Sequence, residues 1–247
     1  MISSAGQKTD PSGWETLELF ANAPAFNRWL FDQISPFCKG EVLEVGSGIG
    51  NISGLLLDKR LKISLSDLRM EYCAFLEKKF GGNPYLRSVY QIDFSLPDFD
   101  SRYPDLLNCF DTVIALNVVE HIEQDLRAVQ NAKKLLRNQG TLIILVPAGP
   151  SLYNRFDREL GHYKRYTKTM VSGLLTTSGL TQIHANYFNF GGILGWWFSG
   201  AVLKKKIIPL SQLKLYNQLV PIFRMIDQLV AHTAGLSVIA VATNQSI

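Results

Sequence analysis

Glu41-Val-Leu-Glu-Val-Gly-Ser-Gly-Ile-Gly-Asn51 decides the reading of this chain. Val42-Leu43-Glu44-Val45 is a short run of strand type that leads straight into Gly46-Ser47-Gly48-Ile49-Gly50. The amphipathic stretch Asn51-Ile-Ser-Gly-Leu-Leu-Leu-Asp58 follows at once. Strand, glycine turn and helix in that order form the first βα unit of a doubly wound α/β domain. Glycine lets the backbone turn sharply and leaves room for a ligand against bare main chain. Ligands in such domains sit at the carboxyl ends of the strands, so this turn marks the site.

The neighbours of the glycines narrow the ligand. A dinucleotide turn wants Gly-x-Gly-x-x-Gly, whereas here the third glycine comes one residue early and Asn51 stands in its place. Glu44 puts an anion at the end of the strand, a poor neighbour for a pyrophosphate and a good one for a cation. The Glu-x-Gly-x-Gly-x-Gly string of residues 44–50 resembles motif I of the class I S-adenosylmethionine-dependent methyltransferases. Their cofactor carries an ammonium and a sulfonium and no phosphate. The resemblance implies a Rossmann-like sheet of seven strands, the last one antiparallel. It also implies that Glu44, Gly46, Ser47, Gly48 and Gly50 surround the methionine end of S-adenosylmethionine. An ordinary βα turn without a ligand is the alternative.

Bulk properties set the bounds. The 247 residues, 47% of them apolar, suffice for one large domain or one domain with an insertion. Net charge is +4 without any Lys- or Arg-rich run of the kind that binds nucleic acid, so no nucleic-acid partner is expected. Cys38, Cys73 and Cys109 are odd in number and lack Cys-x-x-Cys spacing, which points to a reduced compartment and no structural zinc, and no metal ligands are expected. Met1–Lys8 lacks the apolar segment of a secretory signal, and the expected location is cytoplasmic.

Residues 1–40 read as a helical lead-in, with short helices at Trp14–Phe20 and Pro24–Ile34. The resemblance lays it over the cofactor mouth through Phe20, Phe26 and Asn27; simple packing on the sheet is the alternative. Leu61–Ser66 alternates like a strand and ends at Asp67. An acid about 20 residues beyond the glycines is where such folds hydrogen-bond a ribose, and a carboxylate accepts from two hydroxyls. A helix N-cap is the other reading of Asp67. Leu68 stands beside it at the cofactor. A third strand, Leu86–Tyr90, leads to Gln91-Ile92-Asp93-Phe94. By the resemblance Asp93 accepts from the adenine amino group and Phe94 covers the ring, against a plain turn aspartate.

Phe110–Leu116 is a buried-strand signal that opens on Asn117-Val118-Val119-Glu120-His121-Ile122. The string resembles motif IV of the same family in its Asn-x-x-Glu-His form. That puts Asn117, Val118 and His121 near the transferable methyl. No Asn-Pro-Pro-Tyr or Asp-Pro-Pro-Tyr string occurs, which disfavours the amino groups of bases as acceptors. His121 stays open between general base, pocket donor and helix-start residue. Gln124–Arg137 reads as a helix stopped by Asn138-Gln-Gly140, and Thr141–Val146 as the fifth strand.

Ser151–Thr167 must cross the carboxyl end of the sheet, and it is dense in chemistry. Its Asp, then Gly-His-Tyr-Lys-Arg-Tyr pattern resembles a bacterial subgroup of these methyltransferases associated with glycosyltransferases. A small-molecule or glycan- or lipid-linked acceptor, methylated at oxygen, is what that resemblance implies. Tyr153, Arg155, Asp157, His162, Tyr163 and Arg165 are the acceptor-binding candidates, against a solvated face paired with Asp157 and Glu159. His162 is preferred to His121 as the base, since histidine titrates near working pH and loops carry function. Transfer from a sulfonium can also run on alignment and desolvation alone.

Residues 169–203 contain no Asp, Glu, Lys or Arg. Met170–Ser178 reads as a helix and Thr181–Phe188 as the sixth strand, closing a cofactor-binding core of 41–189. Gly191–Leu203 then runs into Lys204-Lys205-Lys206; peripheral membrane contact through 191–206 competes with a buried cap or dimer seam. In Leu213–Val230, the residues Leu219, Ile222, Phe223, Ile226, Leu229 and Val230 share one helical face. Ala234–Thr243 is the last strand, so 190–232 is a helical insertion before it and 233–247 completes the core. The alternative function is a non-catalytic membrane-peripheral or scaffold protein that keeps the fold.

Overall fold

The computed structural model describes residues 11–197, 209–230 and 232–245. The strands are β1 (Glu41–Val45), β2 (Lys62–Asp67), β3 (Leu86–Gln91), β4 (Phe110–Leu116), β5 (Leu136–Pro147), β6 (Thr181–Phe188) and β7 (Ser237–Thr243). They form one seven-stranded sheet in the order β3-β2-β1-β4-β5-β7-β6. Strands β1 to β5 pair parallel, while β7 runs antiparallel to both β5 and β6. The expected α/β sheet with an antiparallel last strand is the one observed.

Helices α1 (Pro11–Ala21), α2 (Pro24–Ile34), α3 (Ser53–Asp58), α4 (Met70–Phe80) and α5 (Phe99–Arg102) come from the first half. Helices α6 (Asp125–Leu135), α7 (Arg155–Glu159), α8 (Lys168–Thr177), α9 (Gly191–Trp197) and α10 (Leu210–Leu229) come from the second. Because successive strand residues face opposite sides, each central strand feeds two cores. Leu43, Val113, Leu142, Ile144 and Ala240 join one, and Val42, Ile114, Ile143, Leu145 and Val241 the other. Burial on both faces explains the unbroken apolar runs that made the strands legible.

Strand order turns at β1 and β4, since β2 and β3 continue on one side and β4 and β5 on the other. A crevice opens at the carboxyl ends of such a pair. Helix α1 lies over its β1 side, where Asn51 Nδ2 donates to Leu17 O at 2.9 Å. Trp14 stacks on Tyr72 of α4 at 5.4 Å.

Two expectations are corrected. Helix α6 ends at Leu135, and the fifth strand begins at once at Leu136, without the stop at residues 138–140. Leu135 and Leu136 are both fully buried, and Leu136 pairs with Phe110 of β4. In α10 the expected apolar face divides: Leu219, Phe223, Ile226 and Val230 are half-buried, while Ile222 and Leu229 are exposed, Leu229 by 76%. The inner face carries Leu213, Val220 and Asp227. It is held by polar contacts, with Asn217 Oδ1 accepting from the backbone N–H of Ala25 at 2.9 Å and Phe26 at 3.2 Å. Arg224 Nη1 pairs with Asp32 at 2.8 Å, and Asp227 accepts from the N–H groups of Asn189 and Phe190 at 2.6 and 2.7 Å. The lead-in and the insertion thus pack into one cap. Part of the 191–206 run, including Lys204–Lys206, lies outside the described residues. No helix among the described residues is long and apolar enough to cross a membrane.

Asn217 caps α2 from a distant part of the chain, because Ala23 offers no side-chain cap of its own. Asn217→Ala should therefore cost about 1–2 kcal/mol, read as a lower denaturation midpoint. Amide exchange at Ala25 and Phe26 should quicken. Asn217→Asp, which keeps the acceptor, should retain both properties.

Candidate active site

A cleft of about 1210 Å³ opens at the carboxyl ends of β1, β2, β3 and β4, under the cap. Its floor needs bare main chain. Gly46 has φ +65°, and a Cβ there would come within 2.5 Å of Val118 Cγ2. Gly48 has φ +54°, and a Cβ would meet Leu17 Cδ1 at 2.8 Å. Asn117, at the mouth of β4, also adopts a left-handed φ of +54°, a conformation asparagine tolerates better than most residues.

Of the residues expected at the cofactor, Glu44, Gly46, Ser47, Gly48, Asp67, Leu68, Asp93, Phe94, Asn117, Val118 and His121 all line this cleft. Gly50 does not. A Cβ on it would strike Phe80 Cε2 at 2.4 Å, so its role is to seat the turn against α4. Glu44 is buried and accepts a hydrogen bond from Ser53 Oγ. Burial pushes its carboxyl from 4.5 up to about 7, partly offset by the hydroxyls of Ser53 and Ser47. Asp67 is tied to the turn, with Oδ2 accepting from Gly48 N and Oδ1 from Arg69 N, both at 3.0 Å. Burial raises its pKa as well. Each of these oxygens keeps a second lone pair for a hydroxyl. Asp93 joins its two readings: Oδ1 accepts from Ser95 N at 2.8 Å and Ser95 Oγ at 2.6 Å, as in a turn, while the residue also lines the cleft. Phe94 packs on Phe99 at 5.4 Å, and the exposed apolar surface beside it is Leu68, 52% accessible.

The far end of the cleft is built by the loop after β5. Tyr163 N donates to Glu120 O at 2.8 Å, which docks the loop against the end of β4. Asp157 is fully buried and organises it. Its carboxylate takes Arg165 Nε at 2.8 and 3.0 Å, His162 Nδ1 at 2.8 Å and Asn154 N at 2.9 Å. These partners hold its pKa below the usual carboxylate range despite burial. Arg165 also donates from Nη1 to Ala148 O at 2.9 Å and lies 4.5 Å from the Trp196 ring centroid. The rings of His121 and His162 meet edge to face at 4.7 Å.

Among the acceptor candidates, Tyr153, His162, Tyr163 and Arg165 line the cleft. Asp157 lies beneath it, a positioning residue in place of a contact. Arg155 turns outward and pairs with Glu159 at 3.3 Å along the surface of α7. Arg158, Asn189, Trp196 and Tyr216 line the cleft too, and sequence reasoning had assigned none of them there. Arg158 was visible in the loop's charge pattern, while Trp196 was read together with Trp197. The pair divides: Trp196 faces the cleft and Trp197 is exposed.

Residues 43–142 match the family model described as a methyltransferase domain. Among solved structures, a proposed methyltransferase from Bacillus halodurans is similar at 16% identity and TM-score 0.58, covering 88% of this chain and 98% of that one. A proposed sarcosine dimethylglycine methyltransferase from Galdieria sulphuraria is similar at 15% identity and TM-score 0.60, covering 89% and 85%. The Haemonchus contortus phosphoethanolamine N-methyltransferase 2, solved with S-adenosyl-L-methionine, is similar at 14% identity and TM-score 0.60, covering 96% and 59%. At these identities the likeness is one of fold. No curated protein matches the sequence. Over residues 43–142 the match is to a methyltransferase domain, and the fold is one that binds S-adenosyl-L-methionine in the Haemonchus protein. The site fits that cofactor: a buried carboxylate with only hydroxyl partners suits an ammonium, and the glycine floor would be filled by any Cβ. Neither the match nor the fold supports the scaffold alternative.

Glu44 makes a pH prediction for the free protein. The folded state holds its proton more tightly than the unfolded chain, so this contribution to stability is complete below 4.5 and is lost as pH rises through about 7. Glu44→Gln cannot ionise. It should gain on the wild type by about 3 kcal/mol between acid and alkaline ends of that window, measured by denaturant titration. A difference that ignores pH would mean that Glu44 ionises normally.

Proposed function

We propose that the protein transfers a methyl group to a hydroxyl oxygen of a glycan-linked or lipid-linked small-molecule acceptor. When bound, S-adenosylmethionine supplies a methyl on a positively charged sulfur. Glu44 with the Gly46–Gly48 turn holds the methionine end, and Asp67 takes the ribose hydroxyls. Asp93 accepts from the adenine amino group between the apolar walls of Leu68 and Phe94. Asn117, Val118 and His121 border the methyl. Supporting these roles is the convergence of all these residues on one cleft.

His162 carries the oxygen reading. Asp157 can only accept, so the proton of His162 sits on Nδ1 and leaves the Nε2 lone pair for the cleft. A neutral imidazole lone pair is suited to activating a hydroxyl. Trp196, Tyr153 and Tyr216, together with the amide of Asn189 and the guanidinium of Arg158, offer rings and hydrogen-bonding groups of the kind a sugar engages. With labelled cofactor and a panel of such acceptors, the methyl should appear on oxygen by mass spectrometry. His162→Ala should lower turnover by about 10²–10⁴-fold and leave S-adenosylhomocysteine affinity intact. Methylation at nitrogen or carbon, or full turnover in the variant, would overturn the reading.

The lipid-linked end of that acceptor class draws support from the outer surface of the insertion. Leu194, 70% exposed, and Trp197 on α9 join Leu215, Ile222, Met225 and Leu229 along one stripe of α10. Between residues 191 and 226 the sequence has Lys204, Lys205, Lys206, Lys214 and Arg224 and no acid. Apolar surface on a segment whose charges are all positive is complementary to an anionic lipid surface, with Arg224 already paired to Asp32. The protein should sediment with anionic vesicles, less so at high salt, and Leu215→Ser with Leu229→Ser should abolish this. Dimerisation lost in the same variant, without vesicle binding, would instead identify the stripe as a self-association face.

A further inference from the structure

Glu120 is a buried acid beside the cleft that neither the fold nor the proposed reaction explains. It is fully buried, and both carboxylate oxygens are shielded without a hydrogen-bond partner among the described residues. Leaving a buried carboxyl unsatisfied is costly, and native proteins rarely do so without an ion, a water or a function to account for it. Arg165 is the nearby cation, yet its Nε and Nη1 are bonded to Asp157 and Ala148.

Two imidazoles complete the environment. One donor atom each from Glu120, His121 and His162 lies within 4.8 Å of the other two. Glu120 and His121 come from the 3-10 turn Val119–His121 after β4, and His162 is brought to them by the Tyr163–Glu120 backbone bond. His162 is held by a buried carboxylate through Nδ1, as metal-ligating histidines commonly are, which directs Nε2 away from Asp157. We propose that Glu120, His121 and His162 form a binding site for a first-row divalent cation at the acceptor end of the cleft. Two imidazoles and one carboxylate favour ions such as Zn²⁺, Co²⁺ or Mn²⁺ over Mg²⁺ or Ca²⁺, which prefer oxygen alone. Donors bound at about 2.0–2.2 Å stand within about 4.4 Å of one another, so a cluster already inside 4.8 Å needs at most a small inward shift to load. The cation takes the place of the Glu120 proton, which passes to solvent. With the cation bound, the His162 Nε2 lone pair is a ligand in place of a base, and the positions left open take the acceptor hydroxyl, whose proton is then more readily lost to water.

This inference rests on the oxygen reading for its purpose but not for its test. The cysteine pattern that argued against a structural zinc has no bearing on a histidine and carboxylate set. The full chain, stripped with chelator, is titrated with Co²⁺ and followed by the visible d–d absorption of the bound ion, then with Mn²⁺ by electron spin resonance. One equivalent should bind, be displaced by Zn²⁺, and be lost in His162→Ala and in His121→Ala. Glu120→Gln should also fail to bind, because a neutral amide is a far weaker cation ligand than a carboxylate of the same shape. Circular dichroism reports the fold of each variant, and S-adenosylhomocysteine affinity that of the Glu120 and His162 variants. No uptake by the wild type, or undiminished uptake in both histidine variants, overturns the site. Oxygen methylation that persists in chelator without Co²⁺ uptake defeats the cation and spares the reaction. Co²⁺ uptake with no oxygen methylation does the reverse.

Discussion

The close approach of bare main chain at Gly46 and Gly48 is the constraint on which the cleft depends. Val118 Cγ2 stands where a Cβ on residue 46 would be, and Leu17 stands over residue 48. The end of β4 and the first helix can close on the end of β1 only because those positions carry no side chain. Ser47 N donates to Ser66 O at 2.9 Å and Gly48 N to Asp67, so the same turn fixes the end of β2. Three strand ends are thereby held in one register around a single opening. Replacing either glycine would part the loops, strain the backbone and widen the site at once.

Buried carboxylates divide the labour along the cleft, and their partners set what each can do. Glu44 has hydroxyl donors and a raised pKa, which keeps it ready to meet a cation. Asp157 has an arginine, a histidine and a backbone N–H, and remains ionised; its cost of burial is offset because its oxygens are engaged. That saturation gives His162 one position and one tautomer. Glu120 has no hydrogen-bond partner among the described residues, so the same physics that explains the other two leaves it asking for a ligand.

The cofactor half was legible in the sequence because its information is local. A strand buried on both faces writes an unbroken apolar run, and the acid that ends β2 follows the glycines at a spacing set by one βα unit. Asp93 could not be settled locally, since serving a turn and lining a cleft demand the same residue there. The acceptor half failed where partners are distant in sequence. Asp157 and Arg155 look alike in a charged loop, and only the docking of that loop on Glu120 decides that one is buried and the other paired with Glu159. Trp196 and Trp197 are adjacent, yet a helical step of about 100° sends them to opposite sides. The end of α6 was misjudged because Leu135 and Leu136 fit both a helix stripe and a strand.

Helix α10 shows why periodicity can point the wrong way. Part of its apolar face, Ile222 and Leu229, is exposed, and its docking runs through polar contacts of Asn217, Arg224 and Asp227. Hydrophobic burial is non-directional and would let a helix slide or roll on the apolar face of α2. Hydrogen bonds to the first turn of α2, to Asp32 and to the N–H groups of Asn189 and Phe190 allow one placement. That placement matters because Tyr216, on the same helix, donates to Asn189 Oδ1 at 2.7 Å at the wall of the cleft. Polar docking therefore positions this wall of the cleft, while Ile222, Met225 and Leu229 of the same helix stay exposed. A helix with those two faces can hold an acceptor's reactive end against the sheet and its apolar remainder at the boundary of the protein.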